Sequence, residues 1–366
     1  MGAIHIVSRP KLKIVLVKNR GFSLRKCAFI TGVTGQVGSQ MADFLLENTD
    51  WNIFGMMRWL EPWDNLYHLN DRINKKDRMH LVYADLNDYP SMCRVIGNIK
   101  PDFVFHLAAQ SFPKTSFDSP IETLQTNILG TANLLEMLRQ LKESQDYDPV
   151  VHVCSSSEVY GKAERGVALA EGTKFHGASP YSISKIGTDY LGQFYGEAYG
   201  LKTFVTRMGT HSGPRRSDVF FESTLAKQIA MIEANLKEPI VSLGCLESVR
   251  TFQDARDAVR AYYLLAIEAA QDKLVNGEAF NIAGEEIFKL TEVVNIFLDL
   301  SSRKDISVVQ DENRLRPIDA DYQMFDNTKI KGTIDWKPEI PAIAMFQDLL
   351  DHWRAVIAKG NVPIDR

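Results

Sequence analysis

Tyr181 and Lys185 stand four residues apart in YSISK, and Ser156 and Glu158 two apart in CSSSEVYG. In a helix the first pair leaves one face. An ammonium held near a phenol favours the phenolate, which makes Tyr181 a candidate acid/base for a substrate hydroxyl. Ser156 follows the apolar run VVHVC and can hydrogen-bond the same hydroxyl, with Glu158 a second base close by. Tyr-x-x-x-Lys is also an ordinary pair on an amphipathic helix, and by itself the pattern favours that reading. What stands upstream changes the balance.

CAFITG reads as a short apolar strand running into Gly32-Val33-Thr34-Gly35-Gln36-Val37-Gly38, and SQMADFLLEN as the amphipathic helix after it. Strand, glycine turn and helix form the context of a dinucleotide fingerprint. Gly32 permits the turn, Gly35 lets backbone approach a pyrophosphate, and Gly38 lets helix and strand pack closely. The helix N-terminus then receives the phosphates. A second strand, WNIFGMM, ends at Arg58. A carboxylate at such a strand end would hold a ribose 2′-hydroxyl, whereas Arg58 suits a 2′-phosphate. The expectation is NADP, with NAD as the alternative, and no carboxylate repelling the phosphate. MHLVYADL delivers Asp85 and Leu86 towards an adenine. FVFHLAAQS ends in Leu107, Ala108, Ala109, Gln110 and Ser111, small or polar residues beside which a nicotinamide fits. IETLQTNILGTANLLEMLRQL reads as one continuous helix. Strands alternating with helices predict an α/β fold: a Rossmann doubly wound parallel sheet with a smaller C-terminal α/β substrate-binding lobe.

The expected boundaries are a basic N-terminal extension over 1–26, an NADP-binding domain over 27–206 with later strands from about 241–300, and a nucleotide-sugar-binding lobe mainly over 207–366. KLKIVLVK, inside the extension, alternates like a strand. Arg215 and Arg216 in GPRRSD, Arg250 in ESVRTF and Arg316 in NRLRP are candidates to converge on a diphosphate, which the arginine fork suits. Each taken alone is as well explained as a surface charge.

The formal net charge of −4 gives no electrostatic case for nucleic acid as a partner. No uninterrupted apolar run is long enough to span a bilayer. Four cysteines without a C-x-x-C pair, and eight histidines without H-x-x-x-H spacing, argue for reduced thiols in a cytoplasmic protein without a metal site.

With TGVTGQVG, HLAAQS, SSSEVYG and YSISK in this order, the chain resembles the extended short-chain dehydrogenase/reductase family over about residues 27–357. Within its nucleotide-sugar branch it is most similar to the GDP-mannose 4,6-dehydratases, through ITGVTGQVGS, Tyr67-His68-Leu69, Ser156 to Gly161, Pro214-Arg215-Arg216 and Arg316-Pro317. Val37 stands where those enzymes usually carry an acidic residue, and Trp59 where a second arginine is common. Glu222-Ser223-Thr224 replaces a Thr-Arg-Lys run. The stretch from Leu225 to Leu265 is more similar to the GDP-4-keto-6-deoxymannose reductases.

The resemblance implies Ser156, Ser157, Glu158, Tyr181 and Lys185 as catalytic residues. It implies Gln110, Ser111 and the four arginines as contacts to a GDP-linked sugar. It also implies a homodimer or homotetramer, the latter through the Trp- and Leu-rich WLEPWDNLYHL loop. Dehydration is the first expected reaction and reduction of a 4-keto sugar the second, with an epimerase or decarboxylase behind them. A silent cofactor-binding protein stands outside these, and an intact proton relay argues against it.

Overall fold

The computed structural model of the protein describes residues 25–315, 318 and 320–360. KLKIVLVK and Arg316 lie outside the described residues. Six strands alternate with helices through the first half: β1 Cys27–Thr31, β2 Asn52–Met57, β3 Met79–Tyr83, β4 Phe103–His106, β5 Val150–Cys154 and β6 Thr203–Met208. They form one seven-stranded sheet with Glu278–Ile282, which pairs with β6. Every pairing in it is parallel. The order from one edge is Glu278–Ile282, β6, β5, β4, β1, β2, β3. Chain order reverses between β4 and β1, so a crevice opens there beyond the strands' carboxyl ends.

The strands are nearly continuous apolar runs because helices cover both faces. On one face Met41 and Leu45 of the Gln36–Asn48 helix meet Ala258, Tyr262 and Leu265 of the Ala255–Ala270 helix over Ile30 and Phe105. On the other, Met92, Ile96, Leu134 and Leu138 cover Phe29, Val104 and Val151. A separate apolar cluster joins the Phe221–Glu233, Leu290–Leu300 and Ala342–Ala358 helices through Leu225, Ile229, Phe297, Phe346 and Leu350. Short strands around Val249–Asp254 complete this second lobe.

The helix that carries Tyr181 is tightly specified. Ser179 accepts from the Ser182 amide while Ser182 Oγ accepts from Ser179, Pro180 begins the helix, and Gly200 closes it at φ +64°. Its middle is pinned by Asp189, which takes two hydrogen bonds from Arg207 of β6 at 2.8 and 2.9 Å, both residues buried. Removing one partner leaves an uncompensated buried charge, a loss on the order of 3–5 kcal/mol.

The helix expected over residues 121–141 is not continuous. Pro120–Leu124 passes through a π-helical turn, Gln125–Leu129, before Gly130–Gln145 resumes the α-helix. The wider turn coincides with Asn127, whose Oδ1 accepts from the Gln110 amide at 2.8 Å. Its Nδ2 donates to the Gln110 carbonyl and to Ser184 Oγ. One side chain thereby ties the end of β4 to the helix of Tyr181, the kind of local irregularity that accompanies functional sites.

Candidate active site

A cleft of about 1930 Å³ follows the crevice and continues under the second lobe. The glycine turn opens it. Gly32, at φ +70°, lies so close to β4 that a Cβ there would meet the Ala108 backbone at 2.8 Å, and a Cβ on Gly38 would meet the Gly32 carbonyl at 2.2 Å. These two glycines are required by packing. Gly35 instead caps the Gln36–Asn48 helix without a side-chain bond and stands exposed on the cleft, presenting free first-turn amides. That cradle fits a dinucleotide pyrophosphate. Thr34, Gln36 and Val37 line the same wall.

The neighbouring strand ends are held by a buried network that the sequence did not advertise. The Thr31 hydroxyl accepts from the Leu107 and Ala108 amides and bonds His106 Nδ1 at 2.9 Å, and His106 Nε2 meets Thr131. Burial pulls the His106 imidazole down to about 3, so it is neutral at working pH. Leu107, Ala108, Ala109, Gln110 and Ser111 therefore enter the cleft in a fixed conformation. Asp85 and Leu86 line it near the end of β3, with Asp85 Oδ1 accepting the Asn87 amide at 2.9 Å.

At the end of β5, Ser156, Ser157 and Glu158 line the cleft with Tyr181 and Lys185. Ser156 accepts from the Glu158 amide at 3.2 Å, and its hydroxyl is near enough to the Tyr181 phenol to lower it. The Tyr181 amide donates to Ser116 Oγ at 3.1 Å, which sets the first turn of the helix. Lys185 Nζ donates to the Cys154 carbonyl at 2.7 Å, placing its ammonium at the same strand end. Burial raises the Tyr181 phenol above its ordinary range and Glu158 adds to this, while Ser156 and the Arg216 guanidinium oppose it. Burial lowers Lys185. The cation that lowers the Tyr181 phenol is thus Arg216, while the lysine that the helical spacing pointed to is held at the Cys154 carbonyl.

Arg216 is fixed from three sides. Its Nε donates to buried Glu222 at 3.1 Å, its Nη1 lies 3.5 Å from Gln36 Oε1, and its guanidinium sits 3.4 Å over the Phe220 ring. Arg215, at φ +69°, turns to Asp43, whose other oxygen meets His68 at 2.7 Å. Burial pushes the Asp43 carboxyl up, but His68 and Arg215 outweigh it and leave it below the usual range. Arg215 and Arg250 both line the cleft, and Arg316 lies outside the described residues. Ser157 Oγ donates to Gln323 Oε1 at 3.3 Å. Buried Gln323 Nε2 and Gln110 Oε1 have no partner among the described residues, leaving one donor and one acceptor for a ligand.

The reading of Arg58 needs correction in one respect. Its side chain is largely exposed, and a carboxylate does stand beside it. Glu61 Oε2 accepts the Arg58 amide at 2.8 Å and lies 3.6 Å from Arg58 Nε. The carboxylate stands three positions beyond Arg58, in the loop rather than at the strand end. Asp43, Asn127 and Gln323 were also missed. Asp43 lies on a helix face that reads as solvated, and the other two act only through partners distant in sequence.

The family model described as GDP-mannose 4,6 dehydratase matches residues 29–349. GDP-mannose 4,6 dehydratase 2 of Arabidopsis thaliana is 30% identical over 98% of this chain and 94% of its own length. GDP-6-deoxy-D-mannose reductase of Pseudomonas aeruginosa is 27% identical over 89% and 97%. Among solved structures, RMD from Pseudomonas aeruginosa complexed with NADPH superposes with a TM-score of 0.73 at 25% identity, covering 90% of this chain and 99% of that one. UDP-glucose 4-epimerase of Thermotoga maritima, at 23% identity and a TM-score of 0.77 over 90% and 99%, shares the fold. With its glycine turn, Ser156, Tyr181 and Lys185 on one cleft, the chain is an extended short-chain dehydrogenase/reductase and belongs to the GDP-mannose 4,6-dehydratase family.

Proposed function

We propose that this protein is an NADP-dependent GDP-mannose 4,6-dehydratase, forming GDP-4-keto-6-deoxymannose and water. The observation that carries the reading is the second base: Glu158 shares the strand end with Ser156 and the Tyr181 relay, in the cleft that begins at the glycine turn. The seven-stranded lobe holds the cofactor through the Gly35 cradle, Arg58 and Asp85. The second lobe closes on the nucleotide sugar, with Arg216 and Arg250 towards its diphosphate.

NADP, when bound, supplies hydride acceptance at C4 of the sugar and hydride return at C6. Tyr181, as phenolate, takes the proton of the C4 hydroxyl, with Ser156 holding that oxygen. Lys185 and Arg216 favour the phenolate against the cost of burial. Once C4 is a ketone its C5 proton is acidified, and Glu158 removes it. Ser157 or Glu158 hands a proton to the departing C6 hydroxyl, which leaves as water, and C5 regains a proton from solvent through Glu158 as C6 gains its hydride. The walls of Phe112 and Phe220, 5.5 Å apart edge to face, help to keep bulk water from the sugar.

Mass spectrometry of the purified protein with NADP and GDP-mannose tests this. The expected product has lost one water with no net consumption of reduced cofactor. Reduction of a 4-keto sugar at the expense of NADPH, without dehydration, would replace the reading with that of a reductase.

The assembly follows from the helix of Tyr181. Ile183, Tyr190 and Phe194 form an exposed stripe along it, beside exposed Leu129 and Ile121. Such a patch fits a second copy of the chain. The Trp59 loop adds a further surface: Leu66 and Leu69 fold into their own core, but Trp59 and Leu60 remain exposed. Light scattering at micromolar concentration is expected to give a dimer or tetramer, and Tyr190→Glu with Phe194→Glu to give smaller species. The four cysteines are free thiols, and no described helix is long and apolar enough to cross a membrane. Both features suit a cytoplasmic enzyme.

A further inference from the structure

The adenine-ribose end of the cleft contains a carboxylate in an unusual position. Glu61 Oε1 accepts the Thr34 hydroxyl at 3.0 Å while Oε2 accepts the Arg58 amide at 2.8 Å. Asn65 Nδ2 holds the Thr34 carbonyl at 2.9 Å, so the glycine turn and the loop after β2 are joined on both sides of Thr34. Glu61 is 23% exposed, whereas the Arg58 side chain is 62% exposed. The carboxylate is therefore built into the wall, and the arginine lies over its rim. Both line the cleft. In a parallel sheet of this order, the space between the glycine turn and the end of the second strand receives the adenine ribose.

An ionised carboxylate only accepts hydrogen bonds. It therefore complements a ribose 2′-hydroxyl and repels a 2′-phosphate, and at 3.6 Å from Arg58 Nε it offsets part of the positive charge that such a phosphate would need. Its part-buried bond from the Thr34 hydroxyl holds it against the glycine turn. Trp59, which turns outward against Tyr83 with ring centroids 5.1 Å apart, brings no second cation to the subsite.

We propose that Glu61 determines dinucleotide specificity in this protein: it accepts the 2′-hydroxyl of NAD(H) and opposes the 2′-phosphate of NADP(H), so both cofactors are used. This rests on reading the cleft as a dinucleotide site. Arg58 and Glu61 act there in opposite directions, and NADP(H) is held with a smaller advantage than Arg58 alone would give. Specificity of this kind is a difference between two affinities, and a repulsive group sets it as effectively as an attractive one.

The test is titration of NADPH and NADH into the wild-type protein, Glu61→Gln, Glu61→Ser and Arg58→Ala, followed by nicotinamide fluorescence or calorimetry. Thermal unfolding confirms that each variant is folded. The wild type is expected to bind both, with affinities within about tenfold of each other. Glu61→Gln keeps an acceptor for Thr34 and removes the charge, so the NADPH:NADH affinity ratio is expected to rise about tenfold, the usual scale for one charge contact. Glu61→Ser should move it the same way. Arg58→Ala should lower the ratio, and combining it with Glu61→Gln should cancel most of the gain. If both cofactors bind and the ratio is unchanged in both Glu61 variants, the proposal fails and the dinucleotide reading stands. If neither binds the wild type, both fail together.

Discussion

Tyr181→Phe is expected to lower turnover of GDP-mannose about 10²–10⁴-fold, the scale of losing a positioned acid/base, while NADPH binding is retained. The change deletes one oxygen. The Tyr181 amide still donates to Ser116 Oγ, and Ser156 still accepts the Glu158 amide, so the strand end and the helix start keep their geometry. The loss corresponds to about 2.7–5.4 kcal/mol of transition-state stabilisation. Single-turnover absorbance with NADP and GDP-mannose measures it, and an undiminished rate in the folded variant would remove Tyr181 from the chemistry.

The same group dictates the pH dependence. Burial holds the phenol above its ordinary range, with Ser156 and Arg216 acting against it. Taking the C4 proton requires the phenolate, so the rate of oxidation rises with pH through the Tyr181 pKa of the bound complex. A nearby cation lowers that pKa. Lys185→Met or Arg216→Met therefore moves the rising limb to higher pH, and activity is partly regained in alkali. Loss of structure would lower the whole profile without displacing it.

Much of this site could be read in the sequence because its parts are local. The glycine turn needs only a strand before it and a helix after it. YSISK needs only helical spacing, and Ser156 only the end of an apolar run. What escaped depends on contacts between distant residues. The π-helical turn at Gln125–Leu129 accompanies the hold of Asn127 on the Gln110 backbone, and helix-forming residues on both sides conceal it. Asp189 looks like a polar position on a helix until Arg207, 18 residues on in β6, is found to meet it inside the protein. Glu61 was missed for a simpler reason: the loop folds back, so a residue three places beyond the expected one faces the glycine turn. Arg215 and Arg216 were recognised as a loop pair, but their different duties were not. One is tied to Asp43 on the glycine-turn helix, and the other sits with Glu222 against Phe220 and within electrostatic reach of Tyr181.

Glu158→Gln separates elimination from oxidation. The amide keeps the shape of the side chain, and its backbone N–H still bonds Ser156. Tyr181, Lys185 and Ser156 are untouched, so oxidation at C4 should survive. Removal of the C5 proton should not, because an amide is no base at working pH. Elimination is expected to slow about 10²–10⁴-fold. Two readouts then diverge from those of the wild type: reduced cofactor accumulates in the presence of GDP-mannose, and solvent deuterium no longer enters at C5. A Glu158 that merely supported the backbone would lower stability and every partial reaction together, and thermal unfolding would show it. A wild type that dehydrates GDP-mannose, matched in rate by the glutamine variant, would show that another group takes the C5 proton. His211 is a poor substitute, since burial and Arg216 pull its imidazole down to about 3 and leave it a weak base. Glu222 is engaged by Arg216. Among the carboxylates described on the cleft, Glu158 alone shares the strand end with Ser156 and Tyr181, and there a single base can follow the C4 relay without the sugar being moved.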